Sequence, residues 1–145
     1  MPFDPDIQSK YGPQYAKLVD DKVIPLNVEE WCQWISEGDG QCGRRVDRYE
    51  TDTHLVSTVF LGINHNWIRH VRPVWFETMV FDKATQGQPI ELMGNIVGTN
   101  FGDEIYCERY TTFEEALRGH QTAIAWLNAE LARQKREQSK KTSFP

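Results

Sequence analysis

Two runs of β-branched and aromatic residues stand near the middle of this chain, LVSTVFLGI from Leu55 to Ile63 and VWFETMVF from Val74 to Phe81. Side chains of this kind crowd the turns of a helix and pack well on a pleated surface, so each run reads as a strand. Both are apolar at nearly every position, which predicts central places in a sheet. The ten residues between them, Asn64 to Pro73, are too few for a helical crossover, so the pair is predicted to be antiparallel.

The flanking segments supply what such a sheet must pack against. Thr112-Phe113-Glu114-Glu115 has the form of a capping box opening a helix. Phe113, Leu117, Ile124, Leu127 and Leu131 then recur at helical spacing to about Gln134, with His120 on the same stripe. A shorter helix is predicted from Asn27 to Ser36, with Asn27 as N-cap, Glu30 at the third helical position, Leu26 and Trp31 as a staple, and glycines after Glu37 to end it. RRVDRYE, from Arg44 to Glu50, suits a charged edge strand, and Ile105 to Tyr110 another strand. Residues 82–103 are rich in turn signals around an apolar patch, Ile90 to Val97, and fit either a short strand or an excursion from the sheet.

The predicted class is α+β, two-layered, with an antiparallel sheet of three to four strands packed against a long C-terminal helix and a shorter N-terminal helix. Residues 1–25 hold four of the seven prolines and read as an irregular arm with a helical turn near Gln14 to Val19. Residues 26–134 form a single domain. Residues 135–145, with Lys135, Arg136, Lys140 and Lys141, read as a basic flexible tail.

Composition narrows the partners. The net charge of −5 disfavours a chain that gains its affinity from phosphate backbones, so nucleic acid is not an expected partner. The first residues, MPFDPDIQSKYGPQ, carry acids and prolines where a signal peptide needs a basic start and an apolar run, and no stretch nears the ~20 apolar residues of a membrane span. Three cysteines, Cys32, Cys42 and Cys107, are odd in number and lack a paired spacing, so reduced thiols, a cytoplasmic location and no membrane association are expected. The sequence leaves the oligomeric state open.

No phosphate-binding glycine loop, GxSxG, HExxH or zinc quartet occurs. What remains is a set of polar residues embedded in apolar sequence. Glu77 lies in mid-strand, where an ionised carboxylate needs a partner; strand pairing offers Arg109, the helix His120, and the end of the first strand His65. His120 on a core stripe reads first as a packing residue. The connection NHNWIRHVRP carries His65, Trp67, Arg69, His70 and Arg72, residue types suited to an anion, a base or a partner protein. The candidate binding residues are therefore His65, Trp67, Arg69, Arg72, Glu77, Arg109 and His120. A His/Glu/His set has no diagnostic metal spacing, and neither a catalytic residue, a metal nor a cofactor is expected.

Taken together, STVFLGINH from Ser57 to His65, FETMVF from Phe76 to Phe81, and Glu108-Arg109-Tyr110 through Glu115-Ala116 to Gly119-His120 resemble a family of short uncharacterised proteins encoded by bacteriophages and prophages. Members of that family read STVFLG-x-x-H, FETMVF and RY-T-x-EEA-x-x-GH, and the match spans about residues 55–120. The chain departs from them in WIRHVRP after His65, where more glycine is the rule, and in the length of 82–103; a partner of its own is expected at such departures. The resemblance implies a host-cell cytoplasmic setting and a non-enzymatic accessory protein that binds a host or phage protein. Two alternatives stay open. One is a binder that sequesters a small anionic, nucleotide-like ligand with Arg69, Arg72, Arg109 and the histidines. The other is an enzyme pairing Glu77 with His65 or His120 as acid and base.

Overall fold

The structure, a computed structural model, describes residues 13–37, 44–65 and 72–142. In chain order its elements are β1 (Tyr15–Val19), β2 (Lys22–Leu26), α1 (Val28–Ser36), β3 (Arg45–Glu50), β4 (His54–Phe60), β5 (Phe76–Asp82), a 3-10 turn (Lys83–Thr85), β6 (Pro89–Leu92), β7 (Asn95–Thr99), β8 (Asp103–Tyr110) and α2 (Phe113–Thr142). The class is α+β, with the long C-terminal helix packed on an antiparallel sheet of order β3-β4-β5-β8. The two apolar runs pair antiparallel, from His54 opposite Asp82 to Phe60 opposite Phe76. The first strand stops short of Ile63 because the chain there turns to β1: Ala16 N–H donates to the Gly62 carbonyl at 3.0 Å, and Ile63 bridges Tyr15. Among the described residues no helix is long and apolar enough to cross a membrane.

One face of the sheet carries the core. Val56 and Phe60 of β4 and Phe76 and Val80 of β5 are buried beneath Ala116, Ala123 and Leu127 of α2. The covering stripe differs from the predicted one. Leu117 is exposed, and the buried helix positions are Ala116, Gly119, His120, Ala123 and Leu127. Small residues let the helix sit close, and Gly119 is the tightest point: the Tyr110 ring occupies the space a Cβ would take. Trp126 stacks on Tyr106 with ring centroids 5.0 Å apart.

Both helix starts follow their caps. The Asn27 side chain accepts from Glu30 N–H at 2.8 Å and the Glu30 carboxylate accepts from Asn27 N–H at 3.1 Å, the reciprocal pair of a capping box. The Thr112 hydroxyl accepts from Glu115 N–H at 3.1 Å. α1 bears no buried residue, yet its Trp31 lies 5.0 Å from Tyr15 and its Trp34 6.0 Å from Phe60, which fixes it beside β1 and the sheet.

Two predicted segments need correction, and of the two readings of residues 82–103 the excursion holds. Residues 15–26, expected as an irregular arm with a helical turn, form a hairpin, its turn made by Asp20 and Asp21 at φ 49° and 65°; Asp tolerates that left-handed conformation. The final helix, expected to stop near Gln134 before a flexible tail, continues to Thr142. Arg133 pairs with Glu130 and with Glu137 along its exposed surface, and Lys140 and Lys141 fall in the last turn, where the helix dipole favours cations. Residues 82–103 hold the 3-10 turn and the β6–β7 hairpin, an excursion from the sheet.

Candidate functional site

The polar residues of the helix-covered face meet in one chain of hydrogen bonds. Thr58 Oγ1 lies 2.6 Å from Thr78 Oγ1 and 2.7 Å from His120 Nδ1, and all three residues are 0–1% exposed. Asp47 of β3 stands 3.7 Å from His120 Nε2. A carboxylate on that side favours the proton on Nε2, so Nδ1 accepts from Thr58 and Thr58 accepts from Thr78. Burial pushes the His120 pKa down, with Asp47 acting weakly in the opposite direction. The neutral ring thus joins the helix to both central strands through Thr58 and Thr78.

Among the described residues, no helix covers the opposite face. Glu77, 8% exposed, accepts from Arg109 Nε at 2.8 Å, and the two residues are directly opposed in register. The other two partners proposed for Glu77 are not used: His120 lies across the sheet, and the His65 side chain is exposed beyond the strand end. The sheet thereby separates Glu77 from His120, and the acid-base pair expected of an enzyme does not form between them. Cys107, exposed on β8, has its thiol pushed up by partial burial and by the carboxylates of Glu77 and Glu104, which makes it a poor nucleophile at neutral pH.

Beside Glu77 the open face forms a hollow of about 340 Å³ over Leu55, Val59, Met79 and Phe81, with Phe101 stacked on Phe81 at 5.8 Å. Arg44, Arg45 and Arg48 line one side. None of these arginines was among the sequence candidates. A bulge in β3 between Arg45 and Asp47 turns Arg45 and Arg48 to the same face and sends Asp47 toward His120.

Trp67 and Arg69 lie outside the described residues, as do His70 and Cys42. Arg72 is paired with Glu115 at 2.5 Å, tying the β4–β5 connection to the first turn of α2. Asn64 was overlooked: its side chain is buried, accepts from Val74 N–H at 3.0 Å and donates to the Pro13 carbonyl at 3.3 Å, closing that connection at its base.

The β6–β7 hairpin exposes a cluster of large apolar residues, Ile90, Leu92, Met93, Ile96 and Val97. All nine strand residues are exposed, Leu92 at 61% and Ile96 at 67%, and Met93 at the tip reaches 95%. Met93 and Gly94 both have positive φ, 51° and 82°, the geometry of a type I′ turn. That turn favours Asn, Asp or Gly at its first position, so an apolar side chain is displayed there against conformational preference.

No protein-family model, curated protein or solved structure matches this chain.

Proposed function

We propose that this chain is a non-enzymatic, phage-encoded accessory protein that acts in the host cell by docking on a host or phage protein, and that the β6–β7 hairpin is its docking element. The observation that carries the reading is the hairpin tip, where Met93 sits fully exposed in a left-handed conformation. A two-stranded hairpin is marginal by itself in water, and exposed clusters of large apolar residues on a folded chain mark interaction surfaces. The partner's complementary surface is an apolar groove that takes the Met93 tip together with Leu92 and Val97, which share one face of the hairpin. Phe101, stacked on Phe81, anchors the base of the hairpin to the sheet and limits the order lost on binding.

The same placement counts against the enzyme alternative. His120 is enclosed and Glu77 is engaged by Arg109 on the other face, so neither is offered to a substrate together with the other. The segments that carry the resemblance meet in these contacts: Thr58 from the first, Glu77 and Thr78 from the second, and Arg109, Tyr110, Gly119 and His120 from the third. They join strand to strand and sheet to helix, which supports a scaffold role for them and leaves recognition to a segment, such as 82–103, in which this chain departs from the pattern it resembles.

A photo-reactive amino acid placed at position 93 tests the docking role in phage-infected host cells. A discrete adduct with one protein is expected from position 93 and none from position 136 on the exposed helix end. Adducts of equal yield and identity from both positions, or none from position 93, would refute it.

A further inference from the structure

We propose that the open face of the sheet is a second binding site, for a small ligand that joins a flat apolar body to an anionic group, carboxylate or phosphate. It is independent of the hairpin's docking role. The floor is Leu55, Val59, Met79 and Phe81, with the Phe101 ring as a side wall. Its volume of about 340 Å³ suits a fused-ring compound, since small-molecule sites run from roughly 300 to 1,000 Å³.

Charge sets the sign of the ligand. The only acid among the described residues lining the hollow, Glu77, is already engaged by Arg109 at 2.8 Å. Glu50, just outside it, is held by Lys83 and by Arg48, each at 3.2 Å, and hydrogen bonds from Arg48 and Lys83 keep its carboxyl below the usual range. Arg44 and Arg45 have no acidic partner among the described residues, and the Arg44 Nε is buried without an acceptor. Buried donors are rarely left so, and a guanidinium matches a carboxylate or phosphate in two parallel hydrogen bonds. In a chain of net charge −5 this rim is a local reversal of sign, and an apolar floor beside it selects an anion with a ring system over inorganic phosphate.

Titration calorimetry with 2-naphthoate and with adenosine 5′-monophosphate, each compared with a neutral counterpart, 2-naphthalenemethanol or adenosine, tests the site. One anion is expected to bind at least tenfold more tightly than its neutral counterpart and to shift the methyl resonances of Leu55, Val59 and Met79. The preferred anion identifies the headgroup. An Arg44→Gln/Arg45→Gln variant should melt like the parent and lose at least tenfold in affinity; should the pair of changes impair folding, Arg45→Gln alone, on an exposed side chain, carries the comparison with at least a threefold loss. No binding of either anion at millimolar concentration, equal binding of the neutral compounds, or full affinity in the folded variant would overturn the proposal. Cross-linking from position 93 is unaffected by any of these outcomes, so the two sites fail or stand separately.

Discussion

Replacing Thr58 by Val keeps the shape of a residue that is fully buried between β3 and β5 and removes only its hydroxyl. Two hydrogen bonds disappear with it, the 2.6 Å contact to Thr78 and the 2.7 Å contact to His120 Nδ1. Both partners are 0–1% exposed, so neither recovers a bond from water. A buried polar group left without a partner costs about 1–3 kcal/mol, and the two groups orphaned by this one change should together cost about 2–4 kcal/mol. For a domain of this size that corresponds to a fall in Tm of roughly 6–12 °C. Denaturant unfolding gives the free energy, with Ser57→Ala on the opposite face as a control expected within about 0.5 kcal/mol. The Thr58→Val/Thr78→Val double variant should cost less than the sum of the single changes, because the second removes a group the first had orphaned. A loss below about 0.5 kcal/mol for Thr58→Val would show that the His120 bridge contributes nothing to stability.

Gly119→Ala should destabilise by about 1–3 kcal/mol through collision with the Tyr110 ring, outweighing the roughly 1 kcal/mol that Ala gains in a helix, and should become neutral or stabilising in a Tyr110→Leu background. Glu77→Gln should cost about 1–2 kcal/mol in chemical denaturation, below the roughly 3–5 kcal/mol of a fully enclosed ion pair, because the Arg109 side chain is half exposed and rehydrates. His120 has a native pKa depressed by burial below its unfolded value of about 6.5, so between the two values the unfolded chain binds the extra proton. Stability should therefore fall as pH drops through about 6.5, and His120→Asn should flatten that slope; an unchanged slope in the variant would show that His120 protonates freely in the native state.

Much of the scaffold was legible because short-range chemistry decided it. The β-branched runs gave β4 and β5, Asn27 with Glu30 gave the first helix start, and Thr112 with Glu115 gave the second. Arg109 was legible as a partner of Glu77 because cross-strand pairing needs only the register of two strands. The hairpins were not, since Asp20-Asp21 and Met93-Gly94 are poor versions of the Asn-Gly turn signal. The length of α2 was missed because apolar periodicity ends near Leu131 while ion pairs carry the helix onward. The arginine rim was hidden by the β3 bulge: strict alternation would put Arg45 and Arg48 on opposite faces, and one extra residue brings them together.

The docking role of the hairpin is tested most directly by a single substitution, Met93→Asn, which creates the preferred Asn-Gly type I′ turn and removes only the displayed apolar side chain. Wild type and variant, immobilised side by side, are exposed to lysate of phage-infected host cells, and the retained protein is then titrated against each. Stability is expected to be unchanged or slightly raised in the variant, while affinity for the protein retained by the wild type falls at least tenfold. Equal affinity in the variant, or no protein retained by the wild type, would contradict the proposed function.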